Sequence, residues 1–412
     1  MLARLSFGVA LAATLLIGTA ARASDGAPLQ IFVSKGSQSL VVYDGDQVVA
    51  TSNVSTGKAG HTTPSGIFSI LEKRQTHFSN LYDDAPMPWM QRLTWSGIAL
   101  HESKHVPSYP ASHGCVRMPA KFAKSLWGMT SRGFHVIISD RDVAPRPIQS
   151  SHLFTPRIAR PQADLLSDAE LRPAFTGDSM VELALADVLP KIGATAVAQL
   201  PKDNPPVKIL ITRASEKEKI AAAQSMLNFL GYDVGPADGI VGVRMRAAVK
   251  AFQELRGRKS TGLVDDAFLA SIHKVLNRKQ PTGWLYVRRN FTPVFDVPID
   301  IADPEVALGT HFIQAARVNA AQNTAQWYGV SLDNHINAKA ARRLGITVDA
   351  DPTAPDAVEQ ALARITMTDA VRDKIDGILG PGSSITITDI GTEHETGQGT
   401  DFITVTRPAP RG

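Results

Sequence analysis

A single cysteine, Cys115, stands among 412 residues, so no internal disulfide can staple this chain. Whatever domains it forms must hold together without such a staple, chiefly by burying apolar side chains. Residues 97–117 read GIALHESKHVPSYPASHGCVR, with His113 and Gly114 directly before Cys115, Ser112 and Arg117 flanking them, and His101 upstream. A lone thiol is an inert buried group, half of an intermolecular bridge, or a reactive nucleophile. His-Gly-Cys is polar and glycine-broken rather than a strand or helix face, which favours the nucleophile.

A nucleophilic thiol needs a base, backbone N–H groups for an oxyanion, and small neighbours that admit a carbonyl. A free thiol has a pKa near 8.5, so only a few per cent is thiolate at neutral pH. A neighbouring imidazolium stabilises the thiolate and later returns the proton to the leaving amine. Spacing alone does not say which histidine lies nearer the sulfur. His101 is the preferred base, with His113 orienting it or closing the oxyanion site. Zinc takes His and Cys ligands, but the spacing matches neither C-x-x-C nor H-E-x-x-H, so no metal is expected. His105, between Lys104 and Val106-Pro107, reads as part of an exposed loop.

The N-terminus places the chain. Arg4, the apolar run Phe7 to Ile17 and Ala21-Arg22-Ala23 before Ser24 read as a secretory signal peptide over residues 1–23. A membrane anchor is the alternative, but the run is short for a span of about 20 residues. The expectation is a protein of the periplasm or cell envelope, with no stable membrane insertion once the signal is removed. The formal charge of +4 includes Arg4 and Arg22, and no Lys/Arg block marks a basic arm, so nucleic acid is not an expected partner. About 390 remaining residues, at roughly 100 to 200 per domain, make two or three domains.

Taken in order, the chain opens with strands. Leu29 to Val33, Ser39 to Tyr43, Gln47 to Ser52 after Asp44-Gly45, Gly66 to Leu71, Ile98 to His101 and His135 to Ser139 are short apolar or β-branched runs. Pro119 to Met129 reads as a helix with proline at its start. Residues 24–142 are therefore a mostly-β domain.

The motif SHGCVRM, with a histidine upstream in a strand, resembles the L,D-transpeptidase (YkuD-like) catalytic domain. TTPSGIF, from Thr62 to Phe68, resembles that family's turn between its early strands, and the likeness covers about Leu29 to Asp140. The resemblance implies a β-sandwich-like fold with Cys115 as nucleophile in a cleft and His101 taking its proton. The Glu102 carbonyl would orient that imidazole, and the N–H groups of Gly114 and Cys115 would receive the oxyanion. Arg117 stands where some members carry asparagine and would bind a substrate carboxylate bidentately; a structural ion pair is the alternative. Ser112, Glu102, Trp95 and Tyr109 complete the substrate-binding candidates.

By the same resemblance the donor is a peptidoglycan stem tetrapeptide cleaved before its terminal D-alanine. The acceptor is an amine of a second stem or a lysine of an envelope protein. No metal or organic cofactor is implied, and carbapenems acylate the cysteine. A hydrolase of the same fold and a non-catalytic wall-binding scaffold are the rival readings.

The rest divides by composition. Glu72 to Trp95, holding Phe78, Tyr82, Met87, Trp89 and Met90, is long for a connector and reads as a lid or a satellite core. Residues 143–212 are interrupted by Pro145, Pro147, Pro156, Pro161, Pro173, Pro190 and Pro201 and read as a Pro-rich linker with one helical patch, Met180 to Leu189. Residues 213–278 carry helical periodicity at Ile220–Leu230, Val243–Leu255 and Asp265–Val275. LGYDVGPADGIVGVRMRAAVKAFQ resembles the small three-helix peptidoglycan-binding domain, which usually has threonine or a similar residue where Met245 stands; a helical spacer without affinity is the alternative. Residues 279–412 read as an α+β region. There Leu308-Gly309-Thr310-His311-Phe312 echoes Pro64-Ser65-Gly66-Ile67-Phe68, which raises a degenerate repeat of the catalytic fold. His311, His335 and His394 are too scattered for a metal site.

Overall fold

The computed structural model describes residues 28–79, 84–157, 205–391, 396–397 and 399–407. The signal peptide, the helical patch at Met180–Leu189, Tyr82 and His394 lie outside the described residues. In the first part run β1 (Gln30–Ser34), β2 (Ser39–Asp44), β3 (Gln47–Asn53), β4 (Ser65–Ser69), β5 (Glu72–Arg74), β6 (Met90–Arg92), β7 (Ala99–Glu102), β8 (Val116–Met118), α1 (Ala120–Met129) and β9 (His135–Ser139). Then follow β10 (Arg146–Ile148), β11 (Val207–Arg213), α2 (Glu216–Phe229), α3 (Val243–Leu255), α4 (Asp266–Val275), β12 (Gly283–Arg289) and β13 (Thr292–Ile301). The last are β14 (Thr310–Asn319), β15 (Thr324–Leu332), α5 (Ala338–Leu344), α6 (Ala357–Ala363), β16 (Ile365–Thr366), α7 (Asp369–Asp376), β17 (Ser384–Thr388) and β18 (Thr404–Arg407).

Three sheets result: six strands in the order β18-β4-β9-β1-β2-β3, four in the order β5-β6-β7-β8, and eight in the order β10-β15-β14-β17-β11-β12-β13-β16. Side chains alternate across a strand, and β1, β4 and β9 of the six-stranded sheet are covered on both faces. Ile31, Val33, Phe68, Val136 and Ile138 face a core closed by Leu100, Val116 and Met118 of the four-stranded sheet and by Leu126 of α1. Phe32, Ile67 and Ile137 face the other way, onto Phe312, Val330 and Leu332 of the eight-stranded sheet. Burial on two faces explains why β1, β4 and β9 show no polar alternation in sequence.

The linker expected over 143–212 is corrected at both of its described ends. Arg146–Ile148 pairs with β15, Phe154 enters the core of the eight-stranded sheet, and Val207–Arg213 is a central strand of it. The misreading has a physical source. VKILITR is wholly buried although it carries two cations, and only tertiary partners make that tolerable. Lys208 Nζ donates to the Gly133 carbonyl at 2.9 Å and to His135 Nε2 at 2.6 Å, and Arg213 pairs with Asp389 at 2.6 Å. The first domain is likewise not closed at residue 142. β18, from the far end of the chain, adds to β4 as the outermost strand, and Ile403 enters the core beneath.

The three helices form a separate small core around Leu227, Met245, Val249, Phe252, Phe268 and Ile272. A capping box of Ser215 and Glu218 starts α2, and the Asp265 carboxylate accepts from the Phe268 N–H at the start of α4. Met245 is a fully buried core residue. Both ends of this unit leave from one place, because Arg213 pairs with Gly283 and the Ala214 N–H donates to the Thr282 carbonyl.

Candidate active site

Two short strands hold the centre. β7 and β8 run parallel with His101 beside Arg117 and Leu100 beside Val116. Leu100, Val116 and Met118 point into the core. His101 and Arg117, on the opposite face, line a cleft of about 590 Å³ together with Cys115, one residue before β8. Met90 and Arg92 of β6 extend the same wall.

His101 is 8 % exposed, and its Nδ1 lies 2.7 Å from the Glu102 carbonyl. A carbonyl only accepts, so Nδ1 carries the proton and Nε2 is left with its lone pair free to accept one. Burial pushes the imidazole pKa down to about 4, aided by the Arg117 charge, while the Glu102 hydrogen bond opposes the shift. The Cys115 Sγ–H donates to the Gly97 carbonyl at 3.3 Å, and the residue packs against Met87, Met90 and Ala99. Burial raises the thiol pKa; the Ala99 N–H and the charges of Arg117 and Arg92 pull it back only in part. Desolvation disfavours both charges, which opposes the expected thiolate–imidazolium pair and favours the neutral one.

The loop carrying the cysteine is fixed from below. Thr56 accepts the N–H groups of Ala111 and Ser112, and the Lys58 N–H donates to the Ser112 carbonyl. Thr63, from the TTPSGIF turn, donates its hydroxyl to the Gly114 carbonyl at 2.7 Å and accepts the Gly57 N–H at 2.8 Å. Gly114 has φ of +117°, and a Cβ there would lie 3.0 Å from Ile98 Cδ1, so only glycine fits. Ser112 is buried; its hydroxyl donates to the Cys115 carbonyl at 2.5 Å and accepts the Gly114 N–H at 3.1 Å. That bond engages Gly114, which corrects its expected part as an oxyanion donor and makes Ser112 a positioning group for the loop.

The other candidates separate clearly. His113 lines the cleft but is exposed, edge-on to His61 with ring centroids 4.9 Å apart, and Lys58, His61 and Arg117 join a slight desolvation in lowering its pKa. Arg117 is half-buried in the wall, and Glu102 lines it while its backbone holds His101. Trp95 and Tyr109 are 51 % and 58 % exposed and stand away from the cleft wall, Trp95 beside the Arg92 guanidinium. Sequence reasoning missed β5, β6 and β8, each three residues long. It also missed His77, Arg92 and the Gly97 carbonyl as parts of the site. The stretch read as a lid or a satellite core supplies part of the cleft lining, Ser79, Ala85, Pro86, Met87 and Pro88, held by the Met87 N–H on the His77 carbonyl, while Met87 and Met90 also pack in a small buried cluster. Among the described residues no group of His, Cys, Asp and Glu is arranged to hold a metal ion.

Residues 28–138 match the family model of the L,D-transpeptidase catalytic domain, and residues 216–272 match one described as "Putative peptidoglycan binding domain". Similar solved structures include an L,D-transpeptidase from Mycobacterium smegmatis, at 22 % identity over 28 % of this chain and 59 % of that one, with a TM-score of 0.27. Another is from Stackebrandtia nassauensis, at 28 % identity over 27 % of this chain and 55 % of that one, with a TM-score of 0.26. A third, from Xylanimonas cellulosilytica, is 28 % identical over 28 % and 62 % of the two chains, with a TM-score of 0.25. The chain thus spans less than two thirds of the length of the solved proteins it matches. No curated protein matches it. The cleft therefore belongs to an L,D-transpeptidase catalytic domain, carried on one chain with a helical unit of the peptidoglycan-binding type.

Proposed function

We propose that the cleft performs L,D-transpeptidation on peptidoglycan stem peptides through a Cys115 acyl-enzyme, in the cell envelope after export. The observation that carries this reading is that Cys115 and His101 line one cleft, with the His101 tautomer set by the Glu102 carbonyl. As sulfur attacks the carbonyl of the third stem residue, His101 Nε2 takes the thiol proton, so charge develops only along the reaction path. The Cys115 N–H receives the oxyanion. Collapse breaks the bond to D-alanine, whose amine leaves with the proton from His101, and a thioester remains. An acceptor amine on a second stem, or a lysine of an envelope protein, then attacks the thioester, passes a proton to His101 and frees the thiol. Arg117 binds a substrate carboxylate; among the described residues no acidic side chain pairs with it. The helical unit would hold the enzyme on its polymeric substrate.

The test is incubation of the purified protein, and of Cys115→Ala, with disaccharide-tetrapeptide, followed by mass spectrometry. The reading expects a Cys115-dependent dimer lacking one D-alanine. Tripeptide monomer alone would move the assignment to a hydrolase. A folded protein that still binds sacculi but forms neither product nor acyl-enzyme would leave only the scaffold.

A further inference from the structure

The strand order of the eight-stranded sheet contains that of the catalytic sheet. In the first, β1 pairs antiparallel with β2, β2 with β3, β1 lies parallel to β9, and β9 pairs antiparallel with β4. In the second, β11, β12, β13, β17 and β14 repeat each relation in the same chain order. The registers coincide as well. Ser34 faces Ser39 as Thr212 faces Trp284, and Ser34 lies beside Ser139 as Thr212 lies beside Thr388. One residue further, Lys35–Asp140 at 2.7 Å and Arg213–Asp389 at 2.6 Å are ion pairs at the same place. Glycines at φ of +84° and +80°, Gly133 and Gly382, precede the last strand of each. The Gly133 N–H donates to the Ile70 carbonyl, as the Gly382 N–H does to Ala315.

The cores agree position by position. Ile31, Val33, Leu40 and Val42 of the catalytic core fall on Ile209, Ile211, Leu285 and Val287 of the second. Strand order alone recurs among unrelated sheets, but register, ion pair, turn and core together do not arise from pairing rules. The motif echo in the sequence is off by one residue. By register Phe312 corresponds to Ile67, not Phe68, and both face the seam between the sheets.

We infer that residues 205–389 are a second, cysteine-less copy of the catalytic sheet, packed on the first as its built-in partner. The contact has the form of a fused dimer. His135 and Ser384 occupy equivalent positions and bond to each other at 2.9 Å, as residues near a twofold axis do. The segment between β4 and β9 carries the active site; its counterpart between β14 and β17 carries β15, α5, α6, β16 and α7 instead. The tight turn Lys35–Gln38 of the first hairpin is, in the second, opened to admit the helical unit. The second copy is thus a silent platform that covers the back of the catalytic sheet and presents the helical unit by both of its ends.

The inference is tested in the full chain by transplanting that turn: Ala214–Gly283 is replaced by Gly-Ser-Gln, the sequence of Gly36–Gln38, so that Arg213 leads into Trp284. A control carries Gly-Gly-Gly there. Thermal melting and the rate of Cys115 alkylation are read, neither of which depends on the proposed reaction. Equivalent hairpins require that the transplant folds, keeps the parental alkylation rate, and melts about 2–4 °C above the control. A transplant no more stable than the control, an altered alkylation rate, or failure of both to fold would overturn the inference.

Discussion

At neutral pH a thiol donating to the Gly97 carbonyl and an imidazole donating to the Glu102 carbonyl are both uncharged, because burial raises one pKa and lowers the other. Two rates measured on the same protein should therefore diverge with pH. Iodoacetamide alkylation of free Cys115, which needs the thiolate, is expected to be slow at pH 7 and to climb only above the ordinary thiol range. In the proposed mechanism turnover needs neutral His101, so it should hold through mildly acid pH and fall only as pH approaches about 4. A thiolate–imidazolium pair would instead give rapid alkylation at pH 6. His101→Ala should lower kcat by about 10²–10⁴ while leaving the thiol intact.

Among the elements, β18 has the largest consequence for its size. It closes the catalytic sheet at β4, and Gly66 is the residue that lets it approach: a Cβ there would lie 2.1 Å from the Thr404 carbonyl. Gly66→Val should therefore unseat β18 although Gly66 lies outside the cleft lining. The loss includes ladder hydrogen bonds and the burial of Ile403, about 2–4 kcal/mol, enough to lower Tm by several degrees. Removing residues 400–412 should lower it by a similar amount, and adding that truncation to Gly66→Val should lower it little further. Full additivity in thermal melts would show that Gly66 serves some other contact.

Across the whole molecule, the seam between the sheets is polar at its heart. Lys208 lies against His135, and Ser69 and Asp401 complete the group, with Arg288 and Arg132 nearby. His135 is pushed well below the usual histidine range by burial and by the Lys208 charge, and burial likewise takes His311 to about 4. A histidine held neutral in the fold binds its proton more readily once unfolded. Unfolding therefore takes up protons below pH 6.5, and stability should fall from about pH 6.5 towards pH 4. Urea midpoints measured across that range would check this; a flat profile would show these rings charged in the fold. His135→Gln, neutral at every pH, should flatten the slope.

The sequence by itself determined the family likeness and the local elements. The Ser-His-Gly-Cys box, the strands around Ile31, Val41 and Ile137, and the helices of residues 213–278 are legible because motif and apolar period act over a few residues. Only the tertiary structure decided the rest. A strand such as Val207–Arg213 hides in a proline-rich stretch because its two cations are satisfied by Asp389, Gly133 and His135, distant in sequence. The same applies to β18, which becomes an edge strand only beside Gly66, and to the uncharged state of Cys115 and His101. Pairing and desolvation depend on what lies across a gap, and no window along the chain contains that information.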